Sequence, residues 1–415
     1  KSKPMSEETV ELPLLAKPRT EVQFIDSPEL LSEAIATLAK HSGPFALDAE
    51  RASGFKYSQR AYLIQAYRLG SPIYLIDPIA ISPDHDPAAF SELAKLLASD
   101  EWILHAASQD IPCLRELGIS PTKLFDTELG SRIAGLSRVG LGAVTEQLMG
   151  VKLAKEHSAV DWSTRPLHED WLTYAALDVD VLFELREQLI ALLTEKNKLE
   201  WAQQEFAAVA SMQPKAPKID RWRGLTGIHD VKDTRGMAIA RALWTAREAL
   251  AEKLDVAPGR LEPDTSFTHL AKNPPKTKPE LASDKAFVGR VSRSYLDTWW
   301  AALQAGQNDR DMPPVKLPLV GIPNHRIWPN KYPEADARLK AVRAALTTQA
   351  EELELPIENL ITPDYVRQLC WQPPEPSTIE AISASLLESG ARQWQAELTA
   401  PVIYAALQKP TDSPE

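Results

Sequence analysis

Between residues 21 and 194, short apolar runs alternate between a strand period and a helix period. Glu21–Ile25 reads as a strand. Ser27 and Pro28 then supply an N-cap and a proline at the first helical position, opening a helix over Glu29–Ala39. Phe45–Ala52, Tyr62–Leu69 and Ile73–Ile76 are three closely spaced runs rich in β-branched and aromatic residues, which predict three strands. Their short connections favour antiparallel pairing. Beyond them the pattern predicts a helix over Pro87–Ala98, a strand over Trp102–Ala106, a helix near Ile111–Leu117 and a short strand at Leu124–Phe125. Helices follow at Thr127–Ala134 and Leu141–Met149, and one long helical stretch runs from about His168 to Leu193. A three-strand meander followed by strand–helix alternation predicts an α/β unit with a mixed sheet and helices on its faces.

Four carboxylates fall where buried apolar elements turn polar. Asp48 and Glu50 end the run Phe45-Ala46-Leu47, and residues i and i+2 of a strand share a face. Asp110 follows the strand at Trp102–Ala106 and opens the next helix. Tyr174 and Asp178 stand four apart on an apolar helical pattern, so they also share a face. Acids at the ends of sequence-distant elements predict one shared divalent-cation site, because hard cations such as Mg²⁺ prefer oxygen ligands. Taken singly, each has a plainer reading. A lone carboxylate is more often solvated or a helix cap, Asp110 could cap the helix it precedes, and Tyr174 could be a core aromatic.

After Met212 strand signals fade. The segment "QPKAPKID" reads as a linker, and helical patterns dominate beyond it. A weak repeat appears at an offset of 99 residues. Glu252–Ala271 matches Glu352–Cys370, pairing Leu254 with Leu353, Leu261 with Leu360 and Leu270 with Leu369. Amphipathic helices at Met237–Leu254 and Ala337–Leu353 precede the two copies. Such a period indicates a duplicated domain. The proline-rich tract Asp311–Pro333 separates the copies.

A chain of 415 residues is long enough for two to four domains. No run of about 18 apolar residues occurs, so no membrane span is expected. Residues 1–20 hold no apolar stretch preceded by basic residues, so no secretory signal is expected, and this segment should be loose. The two cysteines, Cys113 and Cys370, lie in different halves, which argues for reduced core thiols in a cytoplasmic protein. The net charge of −11 is unevenly spread. Residues 206–300 carry 16 Lys+Arg against 11 Asp+Glu, whereas residues 1–205 carry 20 against 31, and 301–415 carry 10 against 15. Phosphate affinity depends on local cations, so the middle segment is the candidate for a positive handle on nucleic acid.

The blocks "DAERASGFKYSQRAYLIQAYRLG", "LHAASQDIPCLRELG", "VDWSTRPL" and "YAALDVDVLFEL" resemble the ribonuclease D family, in the tyrosine-bearing subclass of the DEDD 3′→5′ exonucleases. The resemblance implies a ribonuclease H-like exonuclease domain over 21–205. It places Asp48, Glu50, Asp110 and Asp178 on positions that hold two divalent ions, Mg²⁺ or Mn²⁺, and Tyr174 on the position that orients the attacking water. Both repeat copies resemble the helical HRDC module, over 219–305 and 334–409, with linkers at 206–218 and 306–333. The implied activity is release of nucleoside 5′-monophosphates from RNA with a free 3′ end, as in maturation of tRNA precursors, by a monomer that needs no membrane. Gln65 could contact the terminal nucleotide. His105 and Gln109 flank Asp110, and Asp126 could be a supporting carboxylate or a helix cap. Arg165 could touch a phosphate or brace its loop. Two alternatives stay open: a DNA-directed exonuclease of the same superfamily, since the acids do not read the 2′-hydroxyl, and a non-catalytic nucleic-acid-binding protein on that fold.

Overall fold

The computed structural model describes residues 12–154, 160–214, 216–287, 289–318 and 320–408. Its strands are β1 (Leu14–Leu15), β2 (Val22–Ile25), β3 (Phe45–Arg51), β4 (Ala61–Tyr67), β5 (Ile73–Ile76), β6 (Glu101–Leu104), β7 (Lys123–Asp126) and β8 (Lys152–Leu153). Six of them form one mixed sheet in the order β2-β5-β4-β3-β6-β7. The expected meander is present: β3–β4 and β4–β5 pair antiparallel, and the other pairs are parallel. All seven residues of β4 are buried, which is why its sequence is apolar at every position but Gln65 rather than alternating. The helix Glu169–Asp180 lies across β3, β4 and β5. The helix Leu199–Ser211 covers the edge strand β7, with Phe125 and Phe206 ring centroids 4.8 Å apart.

Four expectations need correction. The long helical stretch is two helices, Glu169–Asp180 and Leu182–Glu195, meeting at Val181. The apolar pattern continues through the junction, so periodicity alone does not show the break. The strand expected to reach Ala106 ends at Leu104, because Ala106 takes a left-handed conformation with φ of 61°. Residues 12–20 are not loose: β1 pairs with β8, and Arg19 binds the buried carboxylate of Asp180 at 3.1 Å. Residues 1–11 lie outside the described residues. The tract expected to be a linker from residue 206 begins within the helix Leu199–Ser211.

The second half is helical, and the repeat is real in three dimensions. Thr234–Leu254, Pro258–Leu261 and Asp264–Lys272 recur as Pro333–Glu352, Ile357–Leu360 and Pro363–Trp371. Each long helix ends beside a left-handed residue, Asp255 (φ 47°) and Glu354 (φ 49°), at the same offset of 99. The first copy has its own core around Phe267, Trp299 and Leu243. The second copy shares a continuous core with the sheet unit, and Trp201 stacks on Trp394 at 5.0 Å. Within the first copy, the helices Thr234–Leu254 and Leu296–Asn308 meet at Gly306, where a Cβ would lie 2.5 Å from the Cα of Ile239. Gly306→Val should therefore lower stability by about 1–3 kcal/mol. Urea unfolding followed by tryptophan fluorescence checks this, and an unchanged midpoint would contradict the close approach. Among the described residues, no helix is long and apolar enough to cross a membrane.

Candidate active site

Asp48 and Glu50 point to one face of β3 while Ala49 is buried on the other. The pairing of β3 with β4 shifts register between Glu50 and Arg51. The extra residue of this bulge is Tyr62 of β4, and Arg51, at the end of β3, lines the same cavity as the two acids. Asp110 is placed by a constrained turn. Ala106 is held left-handed because its N–H and that of Ala107 donate to the Asp126 carboxylate, at 3.1 and 2.9 Å. The same carboxylate caps the helix Thr127–Ala134 through Glu128 N and Leu129 N. Asp126 is thus both a cap and the brace of the turn leading to Asp110. The side chain of Asp110 makes no capping bond to the helix Ile111–Glu116 and instead hydrogen-bonds Asp48. Tyr174 and Asp178 stand one turn apart on Glu169–Asp180.

These elements bring the predicted residues together. Carboxylate oxygens of Asp48, Glu50 and Asp178 lie within 4.8 Å of one another. With Asp110, Tyr174 and Arg51 they line a cavity of about 940 Å³. Burial pushes the Asp48 carboxyl up to about 6, against the pull of Ala49 N–H, Asp110 and Arg51. Burial and then repulsion from Asp48, Asp178 and Asp110 push Glu50 well above the ordinary carboxylate range. Asp110 is raised in the same way, by burial and by Asp48. Burial first, then the charges of Asp178, Glu50 and Asp48, raise the Tyr174 phenol above its ordinary value, and its hydroxyl donates to Asp178. Crowded buried carboxylates with raised affinity for protons form a donor set that a hard divalent cation fits.

The remaining candidates separate. Gln65 is fully buried and donates to Glu50 at 3.5 Å, so it supports a carboxylate and does not reach a nucleotide. Arg165 braces its loop: it forms a two-pronged pair with buried Asp77 at 2.8 and 2.9 Å and donates to the carbonyls of Tyr62 and Trp162. His105 bonds Thr127 Oγ1 at 2.9 Å, and burial holds its imidazole down at about 4, so it is neutral near pH 7. Gln109 lines the cavity. Cys113 and Cys370 are buried free thiols. Both arginines of the described cavity lining lie outside the sequence expectations: Arg51, at the end of β3, and Arg260, which comes from the first helical copy.

Residues 22–194 match the family described as 3'-5' exonuclease, residues 237–303 match the HRDC domain, and residues 321–407 match a family described as 3' to 5' exonuclease C-terminal domain. Ribonuclease D of Gluconacetobacter diazotrophicus is 30% identical over 283 residues, covering 66% of this chain and 68% of that protein. The chain belongs to the ribonuclease D family. Its structure is similar to that of a protein from Bifidobacterium adolescentis, at 36% identity and TM-score 0.86 over 96% of this chain and all of that one. It is also similar to ribonuclease D of Escherichia coli, at 25% identity and TM-score 0.67 over 94% and 99%. As a ribonuclease D homologue the chain is a hydrolytic 3′–5′ exonuclease, and the acidic cluster of its cavity fits a metal site. The second helical copy in this ribonuclease D homologue matches a model distinct from that of the HRDC domain, consistent with its divergence from the first.

Proposed function

We propose that this chain removes nucleotides from RNA with a free 3′ end, releasing nucleoside 5′-monophosphates, and that its substrates include structured RNAs such as 3′-extended tRNA precursors. The observation that carries the reading is the convergence of Asp48, Glu50 and Asp178 within 4.8 Å, with Asp110 bonded to Asp48. In this reading the four acids hold Mg²⁺ or Mn²⁺. A bound divalent cation supplies Lewis acidity, lowering the pKa of a water and offsetting charge on the departing 3′ oxygen. Tyr174 keeps its proton at neutral pH, so its role is to hold that water by its hydroxyl while Asp178 fixes the phenol. Gln65 steadies Glu50, and Asp126 steadies the turn before Asp110. The E. coli relative is described as an exoribonuclease involved in structured RNA processing, which favours RNA over DNA. The basic balance of residues 206–300 suits contact with the body of such a substrate. Matched RNA and DNA oligonucleotides, digested and resolved by product, test the reading. Stepwise shortening of the RNA with 5′-monophosphate release is expected; equal or faster loss of the DNA would overturn it.

The raised carboxyls give a pH signature. Unfolded carboxylates titrate near pH 4. With folded values higher, the native state holds more protons across that window. Stability of the metal-free protein therefore falls as pH rises from about 4 through the folded values. Saturating Mg²⁺ at pH 7.5 should raise the melting temperature by about 5 °C, and much less at pH 4.5, where protons already occupy the site. Thermal melts with and without the ion check this, and equal gains at both pH values would contradict it.

A further inference from the structure

The loop from Ala52 to Arg60 leaves β3 directly after Glu50 and Arg51 and returns to the sheet as β4. The turn of the first helical copy grips that loop. Ala257 N donates to Phe55 O at 3.0 Å, and Ser58 N donates to the Asp255 carboxylate at 2.9 Å. Tyr62 Oη donates to the same carboxylate at 3.4 Å. One side chain of this turn enters the lining of the carboxylate cavity: Arg260. Its Nε donates to Gly54 O at 2.7 Å, and its guanidinium lies 4.1 Å from the centre of the Phe55 ring. Among the described residues, its two terminal nitrogens make no hydrogen bond or ion pair, and the residue is exposed.

A guanidinium stacked on an aromatic ring and tied through Nε has already lost its rotamer freedom. What remains is a rigid two-pronged edge of the kind that suits phosphate oxygens. Arg51 is the other arginine in the described lining and lies within the field of Asp48 and Asp110, whereas Arg260 stands apart from the carboxylates that would repel a polyanion. The repeat shows that this placement is particular to the first copy. The residue 99 positions on is Asn359, which is uncharged. The corresponding turn of the second copy docks elsewhere: Lys198 Nζ donates to Leu353 O at 2.5 Å, and Glu354 O sits against Gly135.

We propose that Arg260 is a substrate-positioning residue lent to the exonuclease cavity by the first helical copy, and that it binds a backbone phosphate of the strand whose 3′ end lies at the carboxylates. This rests on the proposed function for the identity of the strand. The helical copy then does more than hold distant parts of a long substrate, and even short substrates feel its presence.

The test uses the full-length protein and a single-stranded RNA hexanucleotide with a free 3′ end. Arg260→Met keeps the packing on Phe55 and removes the charge, and Arg260→Lys restores a charge without the fork. Affinity is read by fluorescence anisotropy across a salt series in Ca²⁺, and turnover is read in Mg²⁺. Arg260→Met is expected to raise Kd and KM about tenfold, the usual effect of one charge-assisted hydrogen bond, with kcat within about twofold. The slope of log affinity against log salt should shallow by about 0.7, the value for one phosphate contact on a single strand. Arg260→Lys should recover the slope and part of the affinity. Wild-type affinity and slope in Arg260→Met would overturn the proposal. So would a loss confined to Arg260→Ala, which would leave Arg260 as a brace for Phe55. If the wild-type protein binds the hexanucleotide but does not cleave it, the hydrolytic reading fails, while the binding series still decides the role of Arg260.

Discussion

Asp178→Asn is expected to lower turnover on the order of 10³-fold, the scale seen when one preorganised electrostatic group is removed, and to raise the melting temperature of the metal-free protein. The two effects have one cause. Asp178 is buried, and its charge pushes up both Glu50 and Tyr174. Replacing it by an isosteric amide removes that repulsion, so Glu50 ionises at less cost. The same change removes an anionic donor from the cluster, so the melting gain from Mg²⁺ should shrink or vanish. Asp48→Ala should lose activity equally but leave a void, so Asp178→Asn is the cleaner variant. Turnover near that of the wild type in purified Asp178→Asn would remove this carboxylate from the site's chemistry. Lost activity with an unaltered Mg²⁺ response would point to a structural role.

Tyr174→Phe should lose rate by a factor on the order of 10²–10⁴, the range of a positioned proton-handling group, with little change in stability. The ring packs against the core, and phenylalanine keeps that packing; only the hydroxyl that donates to Asp178 is lost. Because burial and three carboxylates hold the phenol above its ordinary value, it does not act as a general base at neutral pH. The pH profiles of the wild type and Tyr174→Phe should therefore run parallel up to about pH 9, offset by a constant factor. A wild-type rate in the variant would make Tyr174 a packing residue. A profile whose shape changes above neutrality would make it a titrating base.

The residues legible in the sequence were those whose signal is local. Asp48 and Glu50 follow the apolar run of a strand, Asp110 opens an apolar helix and Asp178 lies on another, and the period of each element fixes the face on which the acid stands. The strands β3, β4 and β5 were visible for the same reason. What stayed hidden depends on pairing or on distance. Arg51 should point away from Glu50 by simple alternation, yet at the end of β3 it lines the cavity. Gln65 lies directly across from Asp48 in the β3–β4 ladder, so the face was right, yet burial leaves it a carboxylate to support rather than a nucleotide to touch. The break at Val181 is masked because the apolar period continues through both helices. Arg260 is 210 positions from Glu50, and only the docking of the helical turn on the loop after β3 brings it to the site. The repeat at offset 99 was legible because each copy keeps its core leucines, but it does not reveal that the two turns dock on different parts of the sheet unit.

Binding of metal by the four acids is tested most directly by anomalous diffraction from crystals of the full-length protein grown with Mn²⁺ and a nucleoside 5′-monophosphate. Two anomalous peaks about 4 Å apart are expected within reach of the carboxylates of Asp48, Glu50, Asp110 and Asp178, both lost or weakened in Asp178→Asn. Peaks elsewhere, or a cluster free of metal in a protein that hydrolyses RNA under the same conditions, would contradict it.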